Sequence, residues 1–252
     1  MKAYNYRLLV DKDAFIQAWL AIMNNNITIS PVAFFHSPFS SKFGVPKQSG
    51  LVEELEGYIE FVPEFRNRDF LRGVEGFDYL WLVWQFSANP HGATSPLVRP
   101  PLLGGNEKVG VFASRSPFRP NRLGLSSVKL ERVDYDAANG PLVFVRGADL
   151  MDGTPVFDIK PYVTIADCHS DARCGFVDRN VIKRLKVEIP ERMKEMFTSE
   201  QFEALRKVLE LDPRPHYHND NEKIYGMPYM GMDVKFVVDG ENLKVVGISS
   251  PF

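Results

Sequence analysis

The sequence predicts a mainly β fold: a small antiparallel β-barrel without a Rossmann fold, followed by a smaller C-terminal α+β unit. Three observations carry this prediction. From Ile27 to about Ile165, apolar, β-branched and aromatic runs follow one another with no helical segment between them, and a parallel sheet needs long crossover connections. Turn pairs such as Asn139-Gly140 and Asp152-Gly153 punctuate the runs, as tight antiparallel connections require. Neither G-x-G-x-x-G nor G-x-x-x-x-G-K-[ST] occurs in the chain, so the glycine fingerprints of dinucleotide and P-loop folds are missing.

Taken in order, residues 1–26 read as an extension. Ala14 to Ile22 has a short helical look, and Met23 ahead of Asn24, Asn25 and Asn26 offers an alternative start. Residues 27–168 form the predicted barrel, with strands at Ile29 to His36, Gly57 to Val62, Tyr79 to Phe86, Val109 to Ser114, Ser126 to Tyr135, Leu142 to Ala148 and Val156 to Ile165. Leu80-Trp81-Leu82-Val83-Trp84-Gln85-Phe86 is apolar on both faces and predicts a central, fully buried strand. Residues 169–252 form the second unit. There Pro190 opens a helical region, Thr198 and Gln201 have capping-box spacing, and Phe202, Leu205 and Val208 recur at helical intervals. The Asp212-Pro213-Arg214-Pro215 corner leads into Val234 to Val238 and Leu243 to Ile248, a hairpin about Asp239-Gly240.

With 252 residues and 44% hydrophobic content the chain can bury a sizeable core. Its net charge is -2, so any binding to nucleic acid or an anionic surface must come from a local patch. No apolar run is long enough to cross a membrane, and the N-terminus lacks a secretory pattern; a cytoplasmic protein is expected. Two cysteines make neither a disulfide framework nor a metal quartet. Cys168-His169 with Cys174, and His216 with His218, are weak metal signals, and no metal is expected.

The positive charge is concentrated. Between Ser95 and Leu130 stand Arg99, Lys108, Arg115, Arg119, Arg122 and Lys129 against the acid Glu107. Within Lys108 to Leu125, KVGVFASRSPFRPNRLGL, Pro117 and Pro120 stiffen the turn that carries Arg115, Arg119 and Arg122. Guanidinium forks suit phosphate, so a polyanionic partner is the functional reading; pairing with carboxylates inside the fold is the structural one. The loop Gly44-Val45-Pro46-Lys47-Gln48-Ser49-Gly50 offers amides, a cation and a side-chain amide to a small polar ligand. Asp149-Leu150-Met151-Asp152-Gly153-Thr154 places two carboxylates and a hydroxyl at a turn, as ribose or ammonium acceptors or as plain turn formers. Asp158, Lys160 and Tyr162 alternate along a strand and would share one face, as an acid–base group or as an ion pair with a phenol cap.

Together the SPF, GVPKQSGLV, EGFDYLWLVW, VRPPLLGG, VGVFASRSPFRPNRLGLS, DLMDGTPVFDIKPY and DPRP blocks closely resemble the TrmO family of tRNA methyltransferases, in order from about Ile29 to the C-terminus. The resemblance implies a homodimer whose barrel binds S-adenosylmethionine and methylates N6 of threonylcarbamoyladenosine beside the tRNA anticodon. It implies cofactor contacts from Pro46, Lys47, Gln48, Ser87, Arg115, Leu125, Leu150, Asp152, Gly153 and Thr154. In this chain Ser87 stands where relatives often carry His, and Arg122 where they often carry Pro. For the chemistry, Asp158 is the expected base with Lys160 and Tyr162 orienting it, and Arg119, Arg122 and Arg214 are expected to hold anticodon-loop phosphates or the threonyl carboxylate. Two rival readings stay open: a noncatalytic module binding S-adenosylmethionine or RNA, and a methyltransferase of a small adenine derivative.

Overall fold

The computed structural model describes residues 28–89, 95–214, 221 and 223–250; the expected N-terminal helix, His216 and His218 lie outside them. Six strands form a ring: β1 (Ala33–His36), β2 (Glu56–Phe61), β3 (Tyr79–Gln85), β6 (Leu123–Asp134), β7 (Leu142–Arg146) and β8 (Thr154–Pro161). Their order is β1-β2-β7-β6-β3-β8, and β8 pairs back onto β1, which closes the barrel. Every pairing in the ring is antiparallel. Closure leaves no strand edge open to another chain. The remaining short strands β4 (Leu97–Val98) and β5 (Val109–Gly110) pair with each other outside the ring.

The two-residue period of a strand decides what fills the barrel. Phe35, Ile59, Leu80, Leu82, Trp84, Val128, Val143, Val145 and Val156 point inward and form one core. This corrects the fully buried reading of β3: its residues alternate, with Trp81 and Val83 only half-buried on the outer face. The expected strand from Val109 to Ser114 is also cut short, because a 3-10 turn begins at Val111. At the other end of the barrel segment, β8 stops at Pro161, and Thr164–Asp167 forms a one-turn helix, α1.

Strand direction gathers the motif blocks. Because β1, β3 and β7 end, and β2, β6 and β8 begin, at the same end of the ring, residues 37–55, 86–122 and 147–153 all connect strands there. These connections carry the GVPKQSG loop, the arginine turn and the DLMDGT turn.

The C-terminal unit is a separate four-stranded sheet in the order β10 (Tyr225–Tyr229), β11 (Met232–Asp239), β12 (Asn242–Ser249), β9 (Lys186–Glu188), with β9 parallel to β12. Helix α2 (Ser199–Glu210) begins with a complete capping box: the Thr198 hydroxyl accepts from the Gln201 amide and the Gln201 side chain accepts from the Thr198 amide. Ala204, Leu205, Val208 and Leu209 turn into the core.

That core is not assembled from the C-terminal residues alone. Phe39, Val52 and Leu55, all from the β1–β2 connection, are buried in it beside Leu205, Met227 and Phe236. The Met230 amide donates to the Pro38 carbonyl at 2.9 Å, and Lys207 pairs with Glu54. Gly44 sits at φ +97, where a Cβ would lie 2.5 Å from the Met227 sulfur. Gly44→Ala is therefore expected to cost at least about 2 kcal/mol, from the left-handed backbone and from crowding. Urea unfolding measures this, and a wild-type midpoint with an unchanged slope would contradict the packing.

Candidate active site

The three connections meet through hydrogen bonds. Arg115 Nη1 donates to Gln48 Oε1 at 2.7 Å, joining the arginine turn to the GVPKQSG loop. Gln48 Nε2 donates to the Lys47 carbonyl at 2.6 Å, so both ends of the amide are engaged. Gly50 N donates to Gly147 O at 2.8 Å, which ties the same loop to the segment after β7. Pro46 is buried beneath it.

Below the rim lies a polar line in an otherwise apolar barrel. Trp84 Nε1 donates to Ser126 Oγ at 2.9 Å, and Ser126 Oγ meets Asp149 Oδ1 at 2.5 Å. Burial pushes the Asp149 carboxyl up, against the Ser126 hydroxyl, the Arg115 cation and the Ser49 amide, which favour its charge. Packing around Lys47 lowers its ammonium below the usual lysine range, partly opposed by the Asp212 carboxylate.

The arginine turn is held by carbonyl oxygens. Arg119 Nη1 donates to the carbonyls of Ser114 and Ser116 at 3.1 and 3.2 Å, and Arg122 Nη1 to that of Asn89 at 3.2 Å. Among the described residues no carboxylate pairs with Arg119, so its positive charge is positioned without being neutralised. Arg122 has φ 53; proline, locked near φ ≈ −65°, cannot take that conformation. Ser87 is exposed beside this turn, one residue after Phe86, whose amide donates to the Arg122 carbonyl at 2.9 Å.

In the DLMDGT block the side chains divide. Leu150 is 1% exposed within the barrel core, and Thr154, 2% exposed, gives its hydroxyl to the Met151 carbonyl at 2.6 Å. Asp152 N and Gly153 N donate to Phe39 O and Phe35 O, both at 2.8 Å. The side chains of Leu150 and Thr154 are therefore taken up inside the fold. Asp152 keeps a carboxylate toward solvent, accepting from Ser37 N at 3.1 Å, with His36 Nδ1 at 3.2 Å. His36 stacks on Tyr58 at 4.6 Å and reaches Glu60 at 3.3 Å with its other nitrogen.

A bulge sets the orientation of the expected base. The β3–β8 register shifts between Val83 and Trp84, so Val156 points inward while Asp158, two residues on, lies on the outer face. Val83 pairs with Leu125 on one side and Asp158 on the other, which places these two about 10 Å apart across the strands. Leu125 is 56% exposed. Lys160 Nζ pairs with Asp158 Oδ2 at 2.8 Å, and this bond raises the lysine pKa. Tyr162 packs against Tyr79 and Trp81 at 6.2 and 5.8 Å and meets Cys168, so its contacts lie away from Asp158.

Arg214 is taken up elsewhere. Its Nε and Nη2 donate to the two carboxylate oxygens of Asp212 at 2.8 and 2.9 Å, and the pair is 12% and 25% exposed. Burial would raise the Asp212 carboxyl, but Arg214 and then Lys47 outweigh it and hold it below the usual range. Arg214 thus reaches the rim through Asp212 and Lys47.

From sequence, Ser126 and His36 are only strand ends, Trp84 only a member of a buried strand, and Asp149 shares with Asp152 a reading as a ribose or ammonium acceptor; the hydrogen bonds that join Trp84, Ser126 and Asp149 are not foreseen. One signal was available: Gly124, Ser126 and Val128 share the inward parity of β6, so Ser126 is a hydroxyl in an apolar file, facing a tryptophan that must donate its N–H somewhere. Cys168 and Cys174 are exposed, and no cluster of three or more His, Cys, Asp or Glu that could hold a metal occurs among the described residues. No helix there is long and apolar enough to cross a membrane. An open recess of about 500 Å³ near Leu51, Glu53, Arg184 and Lys207 contains none of the expected site residues.

The model of the tRNA-methyltransferase O N-terminal domain matches residues 34–168, and that of the TrmO C-terminal domain matches 182–251. A β-barrel transferase domain with its own C-terminal companion is thus the class. The chain belongs to the TrmO family of S-adenosylmethionine-dependent tRNA methyltransferases. It is 34% identical over 225 residues, 86% of this chain and 95% of the relative, to the tRNA (adenine(37)-N6)-methyltransferase of Escherichia coli K12. A putative S-adenosylmethionine-dependent methyltransferase RcsF from Pseudomonas aeruginosa is 35% identical, covering 82% of this chain and 90% of its own. The crystal structure of TrmO from Pseudomonas aeruginosa superposes with TM-score 0.72 at 28% identity, over 90% of this chain and 99% of that one.

Arg214→Met, which strands the Asp212 carboxylate, is expected to cost roughly 2–4 kcal/mol at neutral pH. The sign follows from the lowered Asp212 pKa: its stabilisation is present above the ordinary carboxylate range and is lost as pH falls through its lower folded value. Urea titrations across acid pH should therefore show a flatter acid limb in the variant. Unchanged stability would mean that Arg214 serves ligand binding alone.

Proposed function

We propose that this protein transfers a methyl group from S-adenosylmethionine to N6 of threonylcarbamoyladenosine beside the tRNA anticodon. The observation that carries the reading is the convergence of three loops on one barrel rim, tied together by Arg115 on Gln48, Gly50 on Gly147 and Asp152 on Phe39, with Arg119 held on the carbonyls of Ser114 and Ser116. This donor set fits the methyl donor. Lys47 and Arg115 suit its carboxylate, Asp152 its ammonium or ribose hydroxyls, and exposed Leu125 an apolar part of it. When bound, it supplies a methyl group already activated by the sulfonium.

The protein's task is then alignment and proton removal. The lone pair on N6 is shared with the purine and the carbamoyl group, so a base acting during transfer helps by ~100-fold or more. Asp158 takes that role, with Lys160 fixing the carboxylate from one side and leaving Oδ1 toward the Ile159 amide at 2.9 Å. Arg119 and Arg122 engage phosphates of the anticodon loop, whose single-stranded bases are open to recognition. Arg214 would join them only by leaving Asp212. The half-exposed outer faces of β3 and β6 support a homodimer, and a tRNA substrate supports a cytoplasmic site of action.

Incubation with S-adenosylmethionine and tRNA carrying or lacking threonylcarbamoyladenosine, read by nucleoside mass spectrometry, should show methyl gain on the modified tRNA alone. Donor binding with no methyl gain on either RNA would favour a noncatalytic module, and transfer to a free adenine derivative would favour a small substrate. Asp158→Asn is expected to lower kcat by ~100-fold with donor affinity kept; full turnover would remove Asp158 from the chemistry. If Arg119 and Arg122 meet phosphates, log K for tRNA should fall against log salt with a slope of about −1.5 to −2. A flat curve would sink the phosphate role.

A further inference from the structure

We infer that His36 is a positioning residue for the methyl donor: braced by Glu60, it fixes one oxygen of the Asp152 carboxylate and so leaves the other aimed at the ligand. The inference deepens the donor-binding reading given above and rests on it.

Strand register brings these residues together. β1 pairs with β8 through Phe35 and Thr154, so the chain leaving β1 at His36 and Ser37 runs beside the chain entering β8 at Asp152 and Gly153. Gly153 N donates to Phe35 O and Asp152 N to Phe39 O, both at 2.8 Å. These bonds fix the Asp152 backbone and leave its side chain to be aimed. Two consecutive residues aim it, because Ser37 N at 3.1 Å and His36 Nδ1 at 3.2 Å both meet the same oxygen, Oδ1. Oδ2 has no partner among the described residues, and the side chain is 46% exposed. It is the oxygen left for the ammonium or a ribose hydroxyl of a ligand.

The ring that supplies Nδ1 is itself pinned. His36 stacks on Tyr58, its register partner on β2, at 4.6 Å and 17°. Its other nitrogen, Nε2, lies 3.3 Å from Glu60 Oε2. An ionised carboxylate only accepts, so a ring that meets a carboxylate with each nitrogen must donate from both, which the imidazolium can do and a neutral tautomer cannot. Glu60 is held in turn: Arg66 Nη2 approaches its Oε1 at 3.4 Å, and Arg66 Nε donates to the Phe61 carbonyl at 3.0 Å. Charges thus alternate along one line, Arg66, Glu60, His36 and Asp152, which ends at the proposed donor site. Pairs as exposed as these add little to folding stability. What the line restricts is the rotation of a single carboxylate.

The test is calorimetric titration of S-adenosylmethionine into wild type, His36→Ala, His36→Asn and His36→Gln, with thermal unfolding of each. Counted in bonds from Cβ, the asparagine amide nitrogen falls where histidine carries Nδ1, and the glutamine amide nitrogen where it carries Nε2. His36→Asn therefore keeps the donor to Asp152, and His36→Gln keeps only the donor to Glu60. The alanine and glutamine variants should bind about tenfold more weakly, the loss expected for a charge-assisted hydrogen bond, while the asparagine variant recovers most of the wild-type affinity. In an Asp152→Ala background, His36→Ala should cost nothing further, because His36 acts through Asp152. Wild-type affinity in His36→Ala, equal losses in the asparagine and glutamine variants, additive losses in the double variant, or losses that only track the unfolding midpoints would each overturn the inference. Should His36→Ala fail to fold, the asparagine and glutamine pair decides the matter by the same order. Wild type that binds no donor would instead overturn the proposed function, and this inference with it.

Discussion

Residues 37–55 must satisfy two cores at once, and the rest of the site depends on that constraint. Their apolar side chains Phe39, Val52 and Leu55 are buried in the C-terminal core, while their ends continue barrel strands β1 and β2. The polar residues between, Lys47, Gln48 and Ser49, are thus held between two packed bodies on a short leash. A loop of this length free in solvent would sample many shapes. With Phe39, Val52 and Leu55 packed into the C-terminal core, it presents the Gln48 side-chain carbonyl oxygen to Arg115 each time.

Electrostatics explains how two polar networks coexist with so much apolar packing. One runs inside the barrel from Trp84 through Ser126 to Asp149; the other runs from Arg214 to Asp212, whose charge is felt by Lys47. Each contains a carboxylate, and the two behave oppositely. Asp212 has a bidentate partner that outweighs its burial, whereas burial outweighs the partners of Asp149. The Asp212 network braces the fold, and the barrel network keeps the Asp149 carboxyl buried at a cost to its charged form. The GVPKQSG loop lies between them, with Lys47 responding to Asp212 and Gln48 to Arg115.

Much of this was legible in the sequence. Strand positions were readable because period-two alternation and Asn-Gly or Asp-Gly turns are local signals, and the capping box at Thr198 and Gln201 is local as well. The meeting of Gln48 with Arg115 was not, since it follows from ring closure across 67 residues. Nor was the outward turn of Asp158, which depends on a bulge opposite Trp84 that no composition rule announces. The unit boundary at 168 and 169 follows the change from strands to helix, while the C-terminal core also takes in Phe39, Val52 and Leu55, whose apolar character is equally compatible with either core. Arg214 looked like a free cation in DPRP, and the Asp212 two residues before it was the neighbour that claimed it.

The central claim is that three sequence-distant connections form one donor site on a single rim. Amide hydrogen exchange with and without S-adenosylmethionine tests it directly. The account predicts simultaneous protection of residues 46–50, 115–125 and 149–154, with the opposite barrel end, residues 63–78, unchanged. Protection confined to one of these segments, or centred on the opposite end, would contradict it.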